Sequence, residues 1–301
     1  MLSPLRRLGL ALLCVGLAAC SKPVNSPYHE HSAAENTLYS AFTTRSPNHL
    51  DPALSYSGDE TPFTYSIYEP LYGYHYLDRP YRLIPKAAAE LVDPVYLDEQ
   101  GNRLPADVPG EQVAISRYDI PIKQGIRFQP HPAFALDEQG EFRYYPMRAP
   151  DLNDAFSIAD FAHTGSRELT AHDYVYAFKR LASPRLASPV LGVMAEHIRG
   201  FKEFSEELAR VDKQEPRPQW LDLRPYTLSG VRALDKHTLR IEVNGKYPQF
   251  KYWLAMTFTA PMAWEAERFY SQPGMAQHNL TLDSWPVGTG PFMLTESLTN
   301  R

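Results

Sequence analysis

The stretch RELTAHDYVYAFKR, Arg167 to Arg180, decides how this chain is read. It holds a His–Asp pair, His172 and Asp173, just before a run of aromatic residues. The pair is either a fragment of catalytic or metal chemistry or the first turn of a helix. Helix physics accounts for more of it. Thr170 suits an N-cap, whose hydroxyl takes a backbone N–H of the first turn. Asp173 then falls at the third helical position, where its carboxylate can reach back to the cap N–H and favours the helix dipole. Leu169 and Tyr174 stand at the positions of a hydrophobic staple. Tyr174, Val175, Phe178 and Leu181 form one apolar face, Lys179 and Arg180 sit near the C-terminus, and Pro184 closes the segment. A catalytic His172 would need a nucleophile and a third group that only the fold could bring to it.

Outward from this helix, short elements alternate with proline-rich joints. Upstream, Tyr118, Ile120 and Ile122 alternate as a strand with one buried face, and Gly125 marks a turn before Ile126 and Phe128. Residues 129–168 carry few periodic apolar positions and read as a surface insertion with a small hairpin around Glu138 to Tyr145. Earlier still, Leu38, Ser40 and Phe42 alternate as a strand. Thr61 can cap a helix with Pro62 at its first position, and Phe63, Ile67 and Leu71 lie on one face before Pro70 and Gly73. Downstream, GVRALDKHTLRIEVN reads as a hairpin turning at Asp235, Lys236 and His237, with Leu239, Ile241 and Val243 on one face. Pro248 can open a helix with Phe250, Trp253 and Leu254 as its apolar side, and Phe292 and Leu294 suggest a last strand.

The N-terminus carries an address. Arg6 and Arg7 precede an apolar run of ten residues, Leu8 to Leu17. That is short of the ~20 residues a membrane-spanning helix needs, and it fits a secretory signal. Leu17-Ala18-Ala19-Cys20 resembles the bacterial lipobox, which implies cleavage before Cys20 and lipidation of it. The chain has only two cysteines, Cys14 and Cys20, so the mature protein is expected to hold no disulfide. Residues 20–36 are polar, with Pro23 and Pro27, and read as a flexible tether; His29, Glu30 and His31 there lack the rigid frame of a metal site.

Bulk composition narrows the function. The 301 residues are 44% hydrophobic, enough for sizeable cores, and the 27 prolines exceed the usual ~5% share. A formal charge of −5 leaves no basic excess for phosphates, which argues against nucleic-acid binding. There is no G-x-S-x-G, H-E-x-x-H or P-loop, so neither a secreted hydrolase nor a nucleotide cofactor finds support. The 12% aromatic content fits ligand stacking, although most of these residues stand at core-like spacings.

Several pieces in one order resemble the family 5 extracellular solute-binding proteins, the oligopeptide- and dipeptide-binding components of ABC importers. LTAHDYVYAFKRLASP looks like that family's signature helix. LDPALSYSGDETPFTYSIYEPLY, YDIPIKQGIRF, GVRALDKHTLRIEV and WPVGTGPFML resemble its opening loop and helix, its strand before the signature helix, its hairpin and its GTGPY/F turn. The chain departs from the pattern in the 129–168 segment, and it is shorter than family members usually are.

The resemblance implies an α/β fold of the periplasmic-binding-protein type II class (cluster C). It implies a first lobe with an inserted subdomain, the second lobe missing. The expected division is a signal peptide over 1–19, a tether over 20–36, a first-lobe segment over 37–75, an inserted subdomain over 76–265 and a return to the first lobe over 266–301. The implied function is a periplasmic, lipid-anchored, monomeric binding protein, not an enzyme, that needs no cofactor or metal. It hands oligopeptides to ABC permease subunits. Nickel, haem and sugar cargo are known in the family, and a sensor or scaffold is a further alternative. Carried over by position, Tyr56, Ser57 and Gly58 after LDP are expected to line the cleft through main-chain hydrogen bonds, with the Tyr56 ring as a wall. The family's acidic anchor for a peptide amine lies in the lobe expected to be missing. The chain is expected to be a fragment, and half a cleft to bind peptides weakly. From capping alone, Asp173→Ala is expected to lower stability by about 1 kcal/mol in urea unfolding and to leave ligand affinity within a few-fold.

Overall fold

The sheet at the centre of the fold follows from two alternating strands. A computed structural model describes residues 47–152 and 155–297. The signal, the tether, Cys20 and the strand expected at Leu38 to Phe42 lie outside the described residues. The helix α1 is Thr61–Ile67; β1 is Tyr72–Tyr74, β2 Leu83–Pro85, β3 Val95–Leu97 and β4 Ile115–Pro121. Then come α2, Ala171–Leu181, α3, Leu191–His197, and α4, Phe201–Val211. The hairpin is β5, Val231–Asp235, and β6, Thr238–Asn244, followed by α5, Phe250–Trp253, and α6, Trp264–Tyr270.

β1 and β2 form an antiparallel pair, and β3-β4-β6-β5 form an antiparallel sheet. Tyr118 lies opposite Ile241 and Ile120 opposite Leu239, so the apolar side chains of both strands share one face. All four are buried. On the other face, Asp119 lies opposite Arg240 and binds it through two contacts of 2.6 Å. The alternation with period two thus sorts apolar from charged residues. α2 packs on β5 and β6, and one buried cluster extends from Ala53 to Val287.

The 129–168 segment differs from the surface insertion expected of it. Its hairpin exists, with Leu136 bridging Phe142 and Asp137 accepting the turn N–H groups of Gln139 and Glu141. Its first part is interior: His131, Ala133, Phe134, Ala135 and Leu152 are all buried. The reason is α6. Gln272, just past it, donates to the Tyr144 carbonyl at 2.9 Å and accepts the Met147 N–H at 2.6 Å. Single apolar residues at irregular spacing give no periodic signal, yet they fill the space beside Phe269.

Two smaller expectations also change. Glu60, not Thr61, caps α1, and Pro62 is its second residue. No strand forms at Phe292 and Leu294: the GTG turn lies across the end of α1 instead. Gly290 donates to the Ile67 carbonyl at 2.8 Å, and Phe292 to that of Ser66 at 3.2 Å. A Cβ on Gly288 or Gly290 would strike those carbonyls, so only glycine permits the approach. Phe292 is left exposed.

His131 is buried in a hydrogen-bonded chain that fixes its tautomer. The Ala133 N–H donates to Nδ1 at 3.1 Å. Nε2 therefore carries the proton and meets the Tyr270 hydroxyl at 2.7 Å, which donates onward to the Trp285 carbonyl at 2.6 Å. Burial pushes this imidazole from 6.5 down to about 3. Above about pH 6.5 both folded and unfolded chains hold it neutral, and its contribution is complete. Between about 6.5 and about 3 the unfolded chain takes up a proton that the folded chain refuses, so stability falls as pH falls. The expected slope from this residue is about 1.4 kcal/mol per pH unit. Urea midpoints at pH 7 and pH 5 for wild type and His131→Gln check it: the variant should lose less on acidification, and parallel losses would refute the assignment.

Candidate functional site

The start of α2 is built as a cap and as an ion network. Thr170 caps the helix, and Asp173 accepts its N–H at 2.8 Å and its hydroxyl at 3.0 Å. The same carboxylate binds Arg167 through contacts of 2.9 and 2.6 Å. Arg167 also binds Glu265 of α6 at 2.6 and 2.7 Å. Its guanidinium lies over Phe128 and Phe134. Burial would lower its pKa, but the two carboxylates outweigh that and raise it.

A cleft of about 600 Å³ opens here between Tyr176, Lys179, Arg224, Lys236 and Trp264, with His172 at its edge. His172 is exposed. Every carboxylate lining the cleft is already engaged. Asp173 and Glu265 hold Arg167, and Glu168 takes Lys236 at 2.5 Å, the Gly125 N–H at 3.0 Å and His237 at 3.1 Å. Lys236, then Gly125 and His237, hold the Glu168 carboxyl down at about 2. Asp173 is therefore a structural acid, and the His–Asp pair is a helix start. Among the described residues no group of three or more His, Cys, Asp or Glu could hold a metal ion.

The other end of α2 positions the expected ligand segment. Arg180, buried, binds Asp51 through two contacts of 2.9 and 2.8 Å and Glu267 of α6 at 2.9 Å. Tyr176 donates to the second Glu267 oxygen. Burial alone would lift the Asp51 carboxyl, but Arg180 outweighs it and holds it below the ordinary value. Asp51 also accepts the Ala53 N–H at 3.0 Å, closing the LDP turn. Glu60 finishes the loop by accepting the N–H groups of His49, Tyr56 and Ser57 at 2.9, 2.9 and 3.1 Å.

This changes what Tyr56, Ser57 and Gly58 can offer. The Tyr56 and Ser57 N–H donors face inward to Glu60, and the Gly58 carbonyl accepts the Thr61 hydroxyl. What remains outward is the Tyr56 ring, 70% exposed and 6.0 Å from Phe258. From there an aromatic track continues. Tyr65 on α1 lies close to Tyr74 and to the Thr257 backbone. Tyr74 stacks on Tyr252 at 6.4 Å and meets Tyr81 edge-on at 6.0 Å. Tyr65, Tyr74, Tyr81 and Tyr252 are all more than 40% exposed. Beside Tyr252 the face dips into an open groove of about 570 Å³. Sequence reasoning singled out Tyr56 and none of the other rings on this face. Tyr72, Tyr74 and Tyr76 do alternate, yet Tyr72 is buried, and the signal for a shared face lies in the contact of Tyr74 with Tyr252, far down the chain.

Comparison with known proteins defines the class first. A crystal structure of a periplasmic oligopeptide-binding protein from Borrelia burgdorferi superposes with a TM-score of 0.50 at 14% identity. The superposition covers 85% of this chain and 36% of that one. The fold is therefore the α/β type II periplasmic-binding-protein class. Residues 163–301 match the family of bacterial extracellular solute-binding proteins, family 5 Middle. It is 32% identical over 126 residues to the periplasmic oligopeptide-binding protein OppA of Escherichia coli, covering 40% of this chain and 20% of that protein. It is 26% identical over 164 residues to OppA of Salmonella typhimurium, covering 52% and 26%. The matches thus span about a fifth to a quarter of those relatives' length.

The network revises the worth of Asp173. Its loss removes a cap and also leaves half-buried Arg167 with Glu265 as its one remaining carboxylate partner. Asp173→Ala is expected to cost about 3 kcal/mol and Thr170→Ala about 1 kcal/mol. Urea unfolding of both variants decides: equal losses would reduce Asp173 to a cap.

Proposed function

We propose that this chain captures oligopeptides in the periplasm for an ABC importer, with no catalytic step of its own. The observation that carries the reading is the exposed aromatic track beginning at Tyr56, presented by a loop locked through Asp51 and Glu60, in a chain that matches family 5 over residues 163–301. The proposed organisation is an export signal over 1–19, lipidation at Cys20, a tether over 20–36, and a first lobe formed by 37–75 and 266–301 around an inserted subdomain, 76–265. The protein works as a monomer that delivers its ligand to membrane-embedded permease subunits. Among the described residues no helix is long and apolar enough to cross a membrane.

Rings rather than main-chain donors make the contact on this face. Stacking on aromatic rings and main-chain pairing at sheet edges both tolerate many side chains, which suits a peptide collector. An open face leaves one side of the ligand in water, so its affinity alone is weak. Saturation-transfer NMR with a set of tri- to pentapeptides is expected to show transfer at about millimolar dissociation constants. Tyr56→Ala should reduce that transfer several-fold without lowering the urea midpoint. Absence of transfer from every peptide would sink the reading, and so would transfer indifferent to Tyr56.

A further inference from the structure

We propose that the groove beside Tyr252 biases this chain toward acidic ligands, peptides carrying aspartate or glutamate next to apolar side chains. The inference rests on the aromatic face being a ligand surface and adds its charge selection. The groove has apolar walls, Tyr81 and Leu91, which are 66% and 46% exposed. Its rim carries Arg79, Arg82 and Lys251 against one acid, Asp78. Only Arg82 is matched, binding Asp78 at 2.6 Å. Arg79 donates to the main-chain carbonyls of Asp78 and Tyr76 at 2.8 and 3.4 Å and lies 4.4 Å over the Tyr81 ring. The Lys251 ammonium stands 6.0 Å from the Tyr252 ring. Among the described residues neither has a carboxylate within ion-pair distance.

The groove contrasts with the cleft over α2. In the cleft over α2 the arginines and acids answer one another. At the groove Arg79 is held against the Tyr81 ring, which supplies weak electrostatic stabilisation and leaves a guanidinium edge open for a carboxylate, while Lys251 adds a second positive charge at the rim. The Tyr81 ring also covers part of the Arg79 hydration sphere, so less water need be removed there when an anion arrives. Tyr74 joins the groove to the aromatic track, so an extended peptide lying on the track places a side chain over the rim. A basic peptide would find the same walls and like charges, and repulsion would exclude it.

Three pentapeptides, Gly-Xaa-Leu-Xaa-Gly with Xaa aspartate, asparagine or lysine, test this on the whole chain by NMR titration. At an ionic strength of about 20 mM the aspartate peptide is expected to bind about tenfold tighter than the lysine peptide, and salt at about 0.5 M should shrink the gap. Arg79→Gln with Lys251→Gln should bring the aspartate and lysine peptides to equal affinity. Arg79 is exposed and Lys251 half-buried, and an unchanged urea midpoint of the double variant checks that the fold is kept. Equal affinities in the wild type, or a preference that survives in the double variant, overturn the charge selection while the peptide-binding reading stands. Failure of all three peptides to bind overturns both.

Discussion

Arg180 is the residue on which the proposed ligand face depends. Its guanidinium is buried and held by two acids from opposite ends of the sequence, Asp51 and Glu267. A buried charge is tolerated only where partners replace lost hydration, and here three contacts to carboxylate oxygens do so. Such a pair contributes modestly to net stability compared with an apolar substitute, but removing one member strands the other. Its value is positional: only one placement of the LDP turn satisfies Asp51, Arg180 and the Ala53 N–H together. Tyr56 follows that turn by five residues and inherits its position.

α2 is thus less an amphipathic helix on a surface than a beam between two ion networks. Arg167, just before it, and Arg180, near its end, both reach acids on α6. Glu265 and Glu267 stand two apart, so they diverge around α6 and meet arginines at different levels. The helix between them is closed in by Tyr174, Tyr176, Phe178 and Leu181, all buried. Electrostatic pairing fixes orientation while the aromatic core supplies the larger share of the driving force.

How much of this was legible depended on whether the signal was local. The capping of α2 rests on residues within one turn of each other, and it was readable. The β4, β5 and β6 strands were readable too, because Tyr118, Ile120, Leu239, Ile241 and Val243 alternate without interruption. Lys179 and Arg180 were read as dipole partners, whereas both are buried. Nothing near Arg180 in sequence announces Asp51, which lies 129 residues away. The interior placement of His131 and Phe134 was likewise invisible, since it depends on Phe269 and Tyr270. For the ligand face, resemblance pointed to Tyr56 to Gly58. It could not say that Glu60 consumes the main-chain donors there.

That consumption has a consequence for how specificity is built. A loop whose N–H groups bind an internal carboxylate cannot flex to offer them to a ligand without leaving Glu60, buried at 2% exposure, unsatisfied. Discrimination then falls to side chains that project from the rigid loop and from the β1–β2 pair. Tyrosine suits that place, because it presents a large surface with few rotatable bonds and loses little entropy on contact. Rings alone would accept nearly any apolar group. The uncompensated cations beside Tyr81 and Tyr252 are what could make such a face selective, since charge repels the wrong ligand at distances where stacking has not begun to act.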